Sequence, residues 1–224
     1  MLELSSINHR EIYRYLGYGS SQPDTATASL VKKVEKKLLR VIRPRHIYRL
    51  FRITPVSGGV QLEDGKLFLP GNDIYRHLKG CKRAVLMAAT LAADTDRFLK
   101  KLQFFDMAEA AIANSAANTA IEQVCDAVAE EIKNRLPLLY QTSRYSPGYG
   151  DLPISIQKEF LNILDAPKKI GLTVTTNSIM VPEKSVSAII GLSEKPFSRK
   201  RRSCRECNLH ETCMFRLRGS RCDS

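Results

Sequence analysis

Residues 83–91, with the sequence RAVLMAATL, form a nearly continuous apolar run. A strand with one solvated face alternates apolar and polar residues, whereas an unbroken run predicts a strand buried on both faces. Shorter strands are predicted before it at residues 46–53, 60–62 and 67–69, where apolar and β-branched residues lie between turn signals. The buried strand therefore has neighbours with which to form a sheet.

The segments around these strands favour helices. The longest begins with an alanine-rich half, continues with an apolar stripe at helical spacing and stops at Pro137. The predicted helices are residues 7–16, 25–42, 72–78, 92–102, 106–136 and 154–164. Two further strands are predicted at residues 173–180 and 185–192. Helices mixed with short, hairpin-like strands indicate an α+β fold rather than a doubly wound sheet.

Composition indicates a globular chain. Its 224 residues are enough for one good-sized domain, or for one domain plus a small appendage, and 43% of them are hydrophobic and 26% charged. No apolar run approaches the length of a membrane span, and the first ten residues lack the apolar core of a secretory signal. We therefore expect a soluble, cytoplasmic protein.

Positive charge is concentrated in two stretches of a chain whose net charge is +12. One spans residues 32–45. The other is the end of the chain, residues 195–224, with nine Lys or Arg against three acidic residues. Such patches attract nucleic acid, an acidic protein or an anionic cofactor, although a solvated helix face has the same pattern. We predict a folded domain at residues 1–194 and a basic, cysteine-rich tail at 195–224.

A loop at residues 144–153, RYSPGYGDLP, has the composition of a ligand-binding turn. Its prolines and glycines shape the backbone, and glycine lets a ligand approach main-chain groups closely. Arg144 offers a planar fork that suits a carboxylate, while Tyr145 and Tyr149 can pack against a flat ring or a cation. The residues fit a small ligand with a carboxylate and an aromatic base. An ordinary tight loop with an exposed arginine has the same composition.

The motifs around this loop resemble the activation domain of cobalamin-dependent methionine synthase. The resemblance rests on Arg144-x-Ser146-Pro147-Gly148-Tyr149, followed by a helix and then by IGLTVT at residues 170–175 and MVPEKSVS at residues 180–187. The DAVAE segment at residues 126–130 of the long helix also fits, and YRYLGY at residues 13–18 is similar to the start of free-standing versions of the domain. The resemblance implies an α+β fold with a twisted, largely antiparallel sheet flanked by helices.

In that family the loop binds S-adenosylmethionine. The resemblance implies that Arg144 contacts the methionine carboxylate, that Ser146 and Gly148 supply backbone contacts, and that Tyr149 flanks the ligand. Asp126 matches a family acidic residue near the ligand, whereas Gly17 stands where the multidomain enzymes carry another acidic contact. The implied function is reductive methylation of oxidised cobalamin on a partner methionine synthase, with a flavodoxin- or ferredoxin-like electron donor. Another corrinoid methyltransferase is an alternative partner.

Carboxylates also form a stripe on the long predicted helix. Glu122, Asp126 and Glu130 recur every four residues, and like charges at this spacing destabilise a helix. A carboxylate here can meet the ammonium of a ligand or offset its sulfonium charge. The alternative is a solvated face that Lys133 partly balances.

The tail carries four cysteines that can bind a metal. Cys204, Cys207, Cys213 and Cys222 are soft ligands whose spacing suits either tetrahedral zinc or an iron–sulfur cluster, and an unstructured tail with reduced thiols is the alternative. Zinc would indicate a structural clip or docking module, whereas a cluster could deliver an electron. Next to the basic run at residues 199–202, a zinc module also suits nucleic-acid binding, which is the rival function.

Overall fold

Six strands form one antiparallel sheet in the computed structural model, which describes residues 2–19 and 21–197. The strands are β1 (Arg45–Val56), β2 (Gly59–Leu62), β3 (Phe68–Pro70), β4 (Arg83–Thr90), β5 (Tyr140–Gln141) and β8 (Ser185–Ser193). Their order is β3-β2-β1-β4-β8-β5, and neighbours are antiparallel throughout. A separate hairpin pairs β6 (Thr173–Val174) with β7 (Met180–Val181).

Seven α-helices accompany the sheet in the described residues. They are α1 (His9–Tyr15), α2 (Thr25–Val41), α3 (Asn72–His77), α4 (Ala93–Phe105), α5 (Met107–Arg135), α6 (Gln157–Ile163) and α7 (Ala166–Ile170). Helices α1, α2, α4 and α5 share one hydrophobic core, and α3, α6 and α7 share a second. The α+β prediction with an antiparallel sheet and flanking helices is confirmed.

Strand β4 lies between these two cores, which explains its continuous apolar sequence. Val85 and Met87 belong to the core under α5, whereas Ala84 and Leu86 belong to the core under α6. Each of these side chains is at most 1% exposed. Because successive strand residues point to opposite faces, only an unbroken apolar run can fill both cores.

The long helix α5 is fixed at its N-terminus by charge. Asp106 caps it by accepting hydrogen bonds from the N–H groups of Ala108 and Glu109. Glu109, which is 4% exposed, pairs with Lys33 at 2.8 Å and Lys37 at 2.6 Å, both on α2. Hydrogen bonds from these lysines lower the pKa of the Glu109 carboxyl. The pairs join α2 to the helix that carries the carboxylate stripe.

Two sequence predictions are corrected in the C-terminal third. The single strand predicted at residues 173–180 is instead a hairpin, with β6 and β7 at its two ends and a turn between them. In the turn, Ser178 adopts a positive φ of 60° and donates its N–H to the Thr175 carbonyl at 3.0 Å. The helix predicted at residues 154–164 starts as a 3₁₀ turn, Ile154–Ile156, before α6.

In the described residues, no helix is both long enough and apolar enough to cross a membrane.

The Glu109 pairs give a pH-dependent contribution to stability. Because the folded-state pKa is lowered, the contribution is present above the unfolded carboxyl pKa of about 4.3 and is lost as pH falls through the folded-state value. We expect Glu109→Gln to lower the free energy of unfolding by about 1 kcal/mol at pH 7, since the lysine partners are partly exposed, and by less at pH 3.

Chemical denaturation at the two pH values measures the difference. Glu130→Gln is the control, because Glu130 pairs with Lys133 on the solvated face of the same helix and both side chains are over half exposed. It should change the unfolding free energy by less than about 0.5 kcal/mol. An equal loss in Glu109→Gln at both pH values would contradict this account.

Candidate functional site

A groove of about 270 Å³ opens beside the first residues of β8. Strand β4 pairs with one edge of β8 along its length. On the other edge, Tyr145 and Ile189 exchange backbone hydrogen bonds of 3.0 and 2.8 Å, and the chain then turns away from the strand. The groove is the space that this departure leaves. It is lined by Glu122, Arg144, Ser146, Pro147, Tyr149, Ile154, Gln157, Met180, Ser185, Val186 and Ser187.

The loop that forms one wall of the groove is closed by its own hydrogen bonds. Gly148 donates its N–H to the Leu152 carbonyl at 2.9 Å, and Leu152 donates to the Tyr149 carbonyl at 3.0 Å. The hydroxyl of Tyr145, a residue only 5% exposed, also donates to the Tyr149 carbonyl at 3.0 Å. A loop so closed presents its side chains in a preformed arrangement, which lowers the entropy cost of binding.

Helix α3 anchors the other end of this loop. The Asp151 carboxylate accepts hydrogen bonds from the N–H groups of Asn72 at 2.6 Å and Asp73 at 3.0 Å, where the helix begins. Gly150 has a φ of 53°, and a Cβ at this position would lie 2.4 Å from both Asp73 Oδ2 and the Tyr145 hydroxyl. Only glycine can adopt this positive φ and also leave room for the two neighbouring oxygens.

Charged groups from the loop and from α5 meet at the groove. Arg144 Nη2 lies 2.6 Å from Glu122 Oε2, and Nη1 lies 2.8 Å from Asp126 Oδ1. The arginine side chain is 24% exposed, against 46% for Glu122 and 73% for Asp126. The two carboxylates therefore fix the guanidinium while they themselves remain open to solvent.

A buried polar pair lies at the inner side of the groove. Gln157 is 1% exposed and Ser187 is 3% exposed. The Gln157 amide and the Ser187 hydroxyl are in hydrogen-bonding contact, at 2.7 Å through Nε2 and 3.1 Å through Oε1. Nε2 also lies 3.5 Å from the Met180 sulfur. The pair connects α6 to β8 and supplies polar groups beneath an apolar rim.

The predicted binding residues converge here. Arg144, Ser146 and Tyr149 line the groove, and Asp126 contacts Arg144 beside it. Gly148 contributes the turn, with a φ of 91°. Glycine at this position therefore shapes the loop. The Gly148 N–H bonds to the Leu152 carbonyl within the loop and does not point to a ligand.

The structure agrees with one sequence interpretation of nearby side chains in part and corrects another. Lys133 balances part of the carboxylate stripe by pairing with Glu130, whereas Glu122 contacts the loop arginine. Tyr145 is buried, with its ring 4.9 Å from that of His77, so its ring is not available to a ligand.

Several groove residues were not assigned from the sequence. The sequence places Glu122 on a carboxylate stripe that suits either a ligand or a solvated face, and its four-residue spacing from Asp126 is the signal that links it to the site. Gln157 and Ser187 carry no local signal, because only the fold brings α6 against β8. Met180 lies in a motif that supported the family resemblance, but its spacing does not reveal that it faces the groove.

Neither described cysteine is a nucleophile or a metal ligand. Burial raises the pKa of the Cys125 thiol to about 12 and that of Cys81 to about 11, so both are protonated at neutral pH. The part of the chain that the structure describes contains no group of His, Cys, Asp and Glu that could hold a metal ion. The predicted metal ligands Cys204, Cys207, Cys213 and Cys222 lie outside the described residues and stay a prediction.

The Gln157–Ser187 pair gives a stability prediction. Gln157→Leu keeps the side-chain volume but leaves the buried Ser187 hydroxyl without its partner, which should lower the free energy of unfolding by about 1–3 kcal/mol. Adding Ser187→Ala removes the hydroxyl that has lost its partner, so the double variant should regain most of the lost unfolding free energy. Urea denaturation of Gln157→Leu, Ser187→Ala and the double variant measures the coupling between the two residues. A loss in the double variant equal to the sum of the two single-variant losses would rule out the pairing.

Comparison with known proteins gives one family match and one similar fold. Residues 90–198 match the model of a family described as the vitamin B12 dependent methionine synthase activation domain, and this segment contains every residue that lines the groove. A crystal structure of the MetH reactivation domain bound to AdoHcy is similar in fold, with a TM-score of 0.62 and 15% identity over 83% of this chain and 73% of that one. No curated protein matches the chain. Residues 90–198 thus resemble the vitamin B12 dependent methionine synthase activation domain in sequence, and the chain resembles the MetH reactivation domain in fold.

Proposed function

We propose that the groove binds S-adenosylmethionine and that the protein supports reductive methylation of inactive cob(II)alamin on a partner methionine synthase. The single observation that carries this proposal is the Arg144 guanidinium, held beside the groove by Glu122 and Asp126 at 2.6 and 2.8 Å. It stands on the turn whose motif resembles the family's ligand loop. The AdoHcy bound to the similar structure is the demethylated form of the proposed ligand.

The charged residues fit the amino-acid end of this ligand. A guanidinium has five N–H donors, and the two bonds to α5 use one on each Nη, so Arg144 can also receive the ligand carboxylate. Glu122 and Asp126 can accept from the ligand ammonium. The same two carboxylates that orient the arginine thus complement the opposite charge of the ligand.

The loop residues fit the rest of the ligand. Tyr149 is 54% exposed and lines the groove, so its ring can flank the adenosyl group. The Ser146 carbonyl already accepts from the Tyr149 N–H at 3.1 Å, and the Gly148 N–H bonds within the loop. We therefore assign the ligand contacts to the hydroxyl and N–H of Ser146 and to the Gly148 carbonyl.

The task of the protein in this proposal is positioning. Reductive methylation needs one electron from a reductant and a methyl group from S-adenosylmethionine, whose sulfonium becomes a neutral thioether as its carbon–sulfur bond breaks. No residue has to donate or accept a proton for this exchange. Holding the methyl group at the open side of the groove lowers the entropic cost of reaching the transition state, which is the contribution that the closed loop can make.

An apolar rim around the groove suits a partner that docks over it. Tyr149, Ile154, Ile179 and Val181 are 45–58% exposed, and Met180 lies between the last two. Exposed apolar groups that cluster at a binding site mark an interaction surface. The face of a corrin ring has the extended apolar character that such a rim would contact.

A second surface suits an acidic electron donor. Lys32, Lys36 and Arg40 are exposed on α2, and Lys100 and Lys101 are exposed on the adjacent α4. None of these five makes an ion pair with the described residues. Phe104 and Phe105, 87% and 79% exposed, follow directly on α4. Uncompensated positive charge raises the association rate of an acidic partner, and the phenylalanines offer contact area.

Titration calorimetry tests the ligand. We expect S-adenosylmethionine to bind and Arg144→Ala to weaken binding at least tenfold, because the carboxylate loses a charge-assisted contact. Arg49→Ala is the control, since Arg49 is exposed on β1 and stacks over Phe51 away from the groove. Absence of binding heat at millimolar ligand would contradict the proposal.

Reconstitution tests the role. The protein should restore turnover of oxidised methionine synthase in the presence of S-adenosylmethionine and a flavodoxin-like reductant. Lys32→Glu with Lys36→Glu should slow the recovery severalfold at low salt and less at high salt, because the basic surface acts through screened charge. The control is Lys168→Glu with Lys169→Glu, on α7 in the opposite layer. Recovery that is the same with and without the protein would exclude the role.

A further inference from the structure

We propose that the groove discriminates between the sulfonium ligand and its thioether product by charge, through a net negative charge carried by Glu122 and Asp126. This inference rests on the proposed function. It adds a preference between two ligands that ligand binding alone does not require.

The charges at the groove do not cancel. Glu122 and Arg144 are the charged residues among those lining it, and Asp126 bonds to Arg144 beside it. Two carboxylates against one guanidinium leave one formal negative charge. On the neighbouring helix α1, Arg14 and Glu11 form an ion pair at 2.7 Å, so this pair adds no formal net charge.

Helix α1 approaches this cluster through Tyr15. Burial is the main cause that raises the pKa of the Tyr15 hydroxyl; the positive charge of Arg14 opposes this increase, and the negative charge of Glu122 adds to it. The negative charge of Glu122 therefore acts on a neighbouring side chain, and it would act in the same way on a ligand in the groove.

The carboxylates retain capacity for a second partner. The bonds to Arg144 use Glu122 Oε2 and Asp126 Oδ1, and within the described residues the remaining oxygens, Oε1 and Oδ2, make no hydrogen bond. A single carboxylate would be enough to neutralise Arg144. The second one repels the first across one helical turn, a cost to the helix that a cationic ligand offsets.

Methyl transfer changes the charge of the ligand. S-adenosylmethionine has an ammonium, a carboxylate and a sulfonium, and so one net positive charge. When the carbon–sulfur bond breaks, its electron pair stays on sulfur and the product is a neutral thioether with no net charge. At a partly hydrated site, losing attraction to one unit charge a few ångströms away changes affinity on the order of tenfold. The site therefore favours release of its product.

Calorimetry with three ligands tests this inference on the full chain. S-adenosylmethionine and sinefungin, which has an ammonium in place of the sulfonium, should both bind about tenfold more tightly than S-adenosylhomocysteine. Glu122→Gln, and separately Asp126→Asn, should reduce that ratio to about threefold or less, mainly by weakening the two cations. Higher salt should also narrow the ratio. Glu130→Gln, on the same helix face but paired with Lys133, should leave it unchanged.

The outcomes separate this inference from the proposed function. If none of the three ligands binds, the proposed function and the inference both fail. If all three bind to the wild-type protein with equal affinity, or if the thioether binds most tightly, only the charge discrimination fails. A preference for the cations that survives both carboxylate substitutions, in variants with unchanged melting temperature, would also overturn it.

Discussion

The ion pairs between Arg144 and the two carboxylates of α5 are the interaction on which the site depends. Arg144 follows the short edge strand β5 and precedes the turn, whereas Glu122 and Asp126 project from a helix packed on the sheet. The contacts therefore join an edge of the sheet to the helical layer. They also concentrate charge at the mouth of a groove whose inner side is polar and whose rim is apolar. Without them the loop would present an unoriented cation, and the groove would lose its match to a zwitterionic ligand.

The fold holds these parts in place from several directions. Strand β4 fills two cores and aligns β8, Asp151 ties the loop to α3, and Glu109 ties α5 to α2. Each attachment belongs to a different layer or edge of the sheet. Because all of them constrain the backbone rather than contact the groove, the site is preformed, and little ordering remains to oppose binding.

The strongest sequence signals predicted the fold well, and the site only in part. The apolar run of β4 and the alanine-rich first half of α5 follow local rules that the structure obeys. Helix α7 was not predicted, although Pro167 near its start and Gly171 after its end are typical helix start and stop signals. Arg144 and Tyr149 could be found from the loop motif. Gln157 and Ser187 could not, because their contact arises from packing between distant segments and leaves no periodic trace.

The central claim is that the Arg144 turn and the α5 carboxylates together bind the amino-acid end of S-adenosylmethionine. A crystal structure of the protein with this ligand tests it most directly. We expect the ligand carboxylate within hydrogen-bonding distance of the Arg144 guanidinium, the ammonium beside Glu122 or Asp126, and the methyl group facing the open side of the groove. A ligand bound elsewhere on the chain, with Arg144 still paired only to α5, would contradict the account.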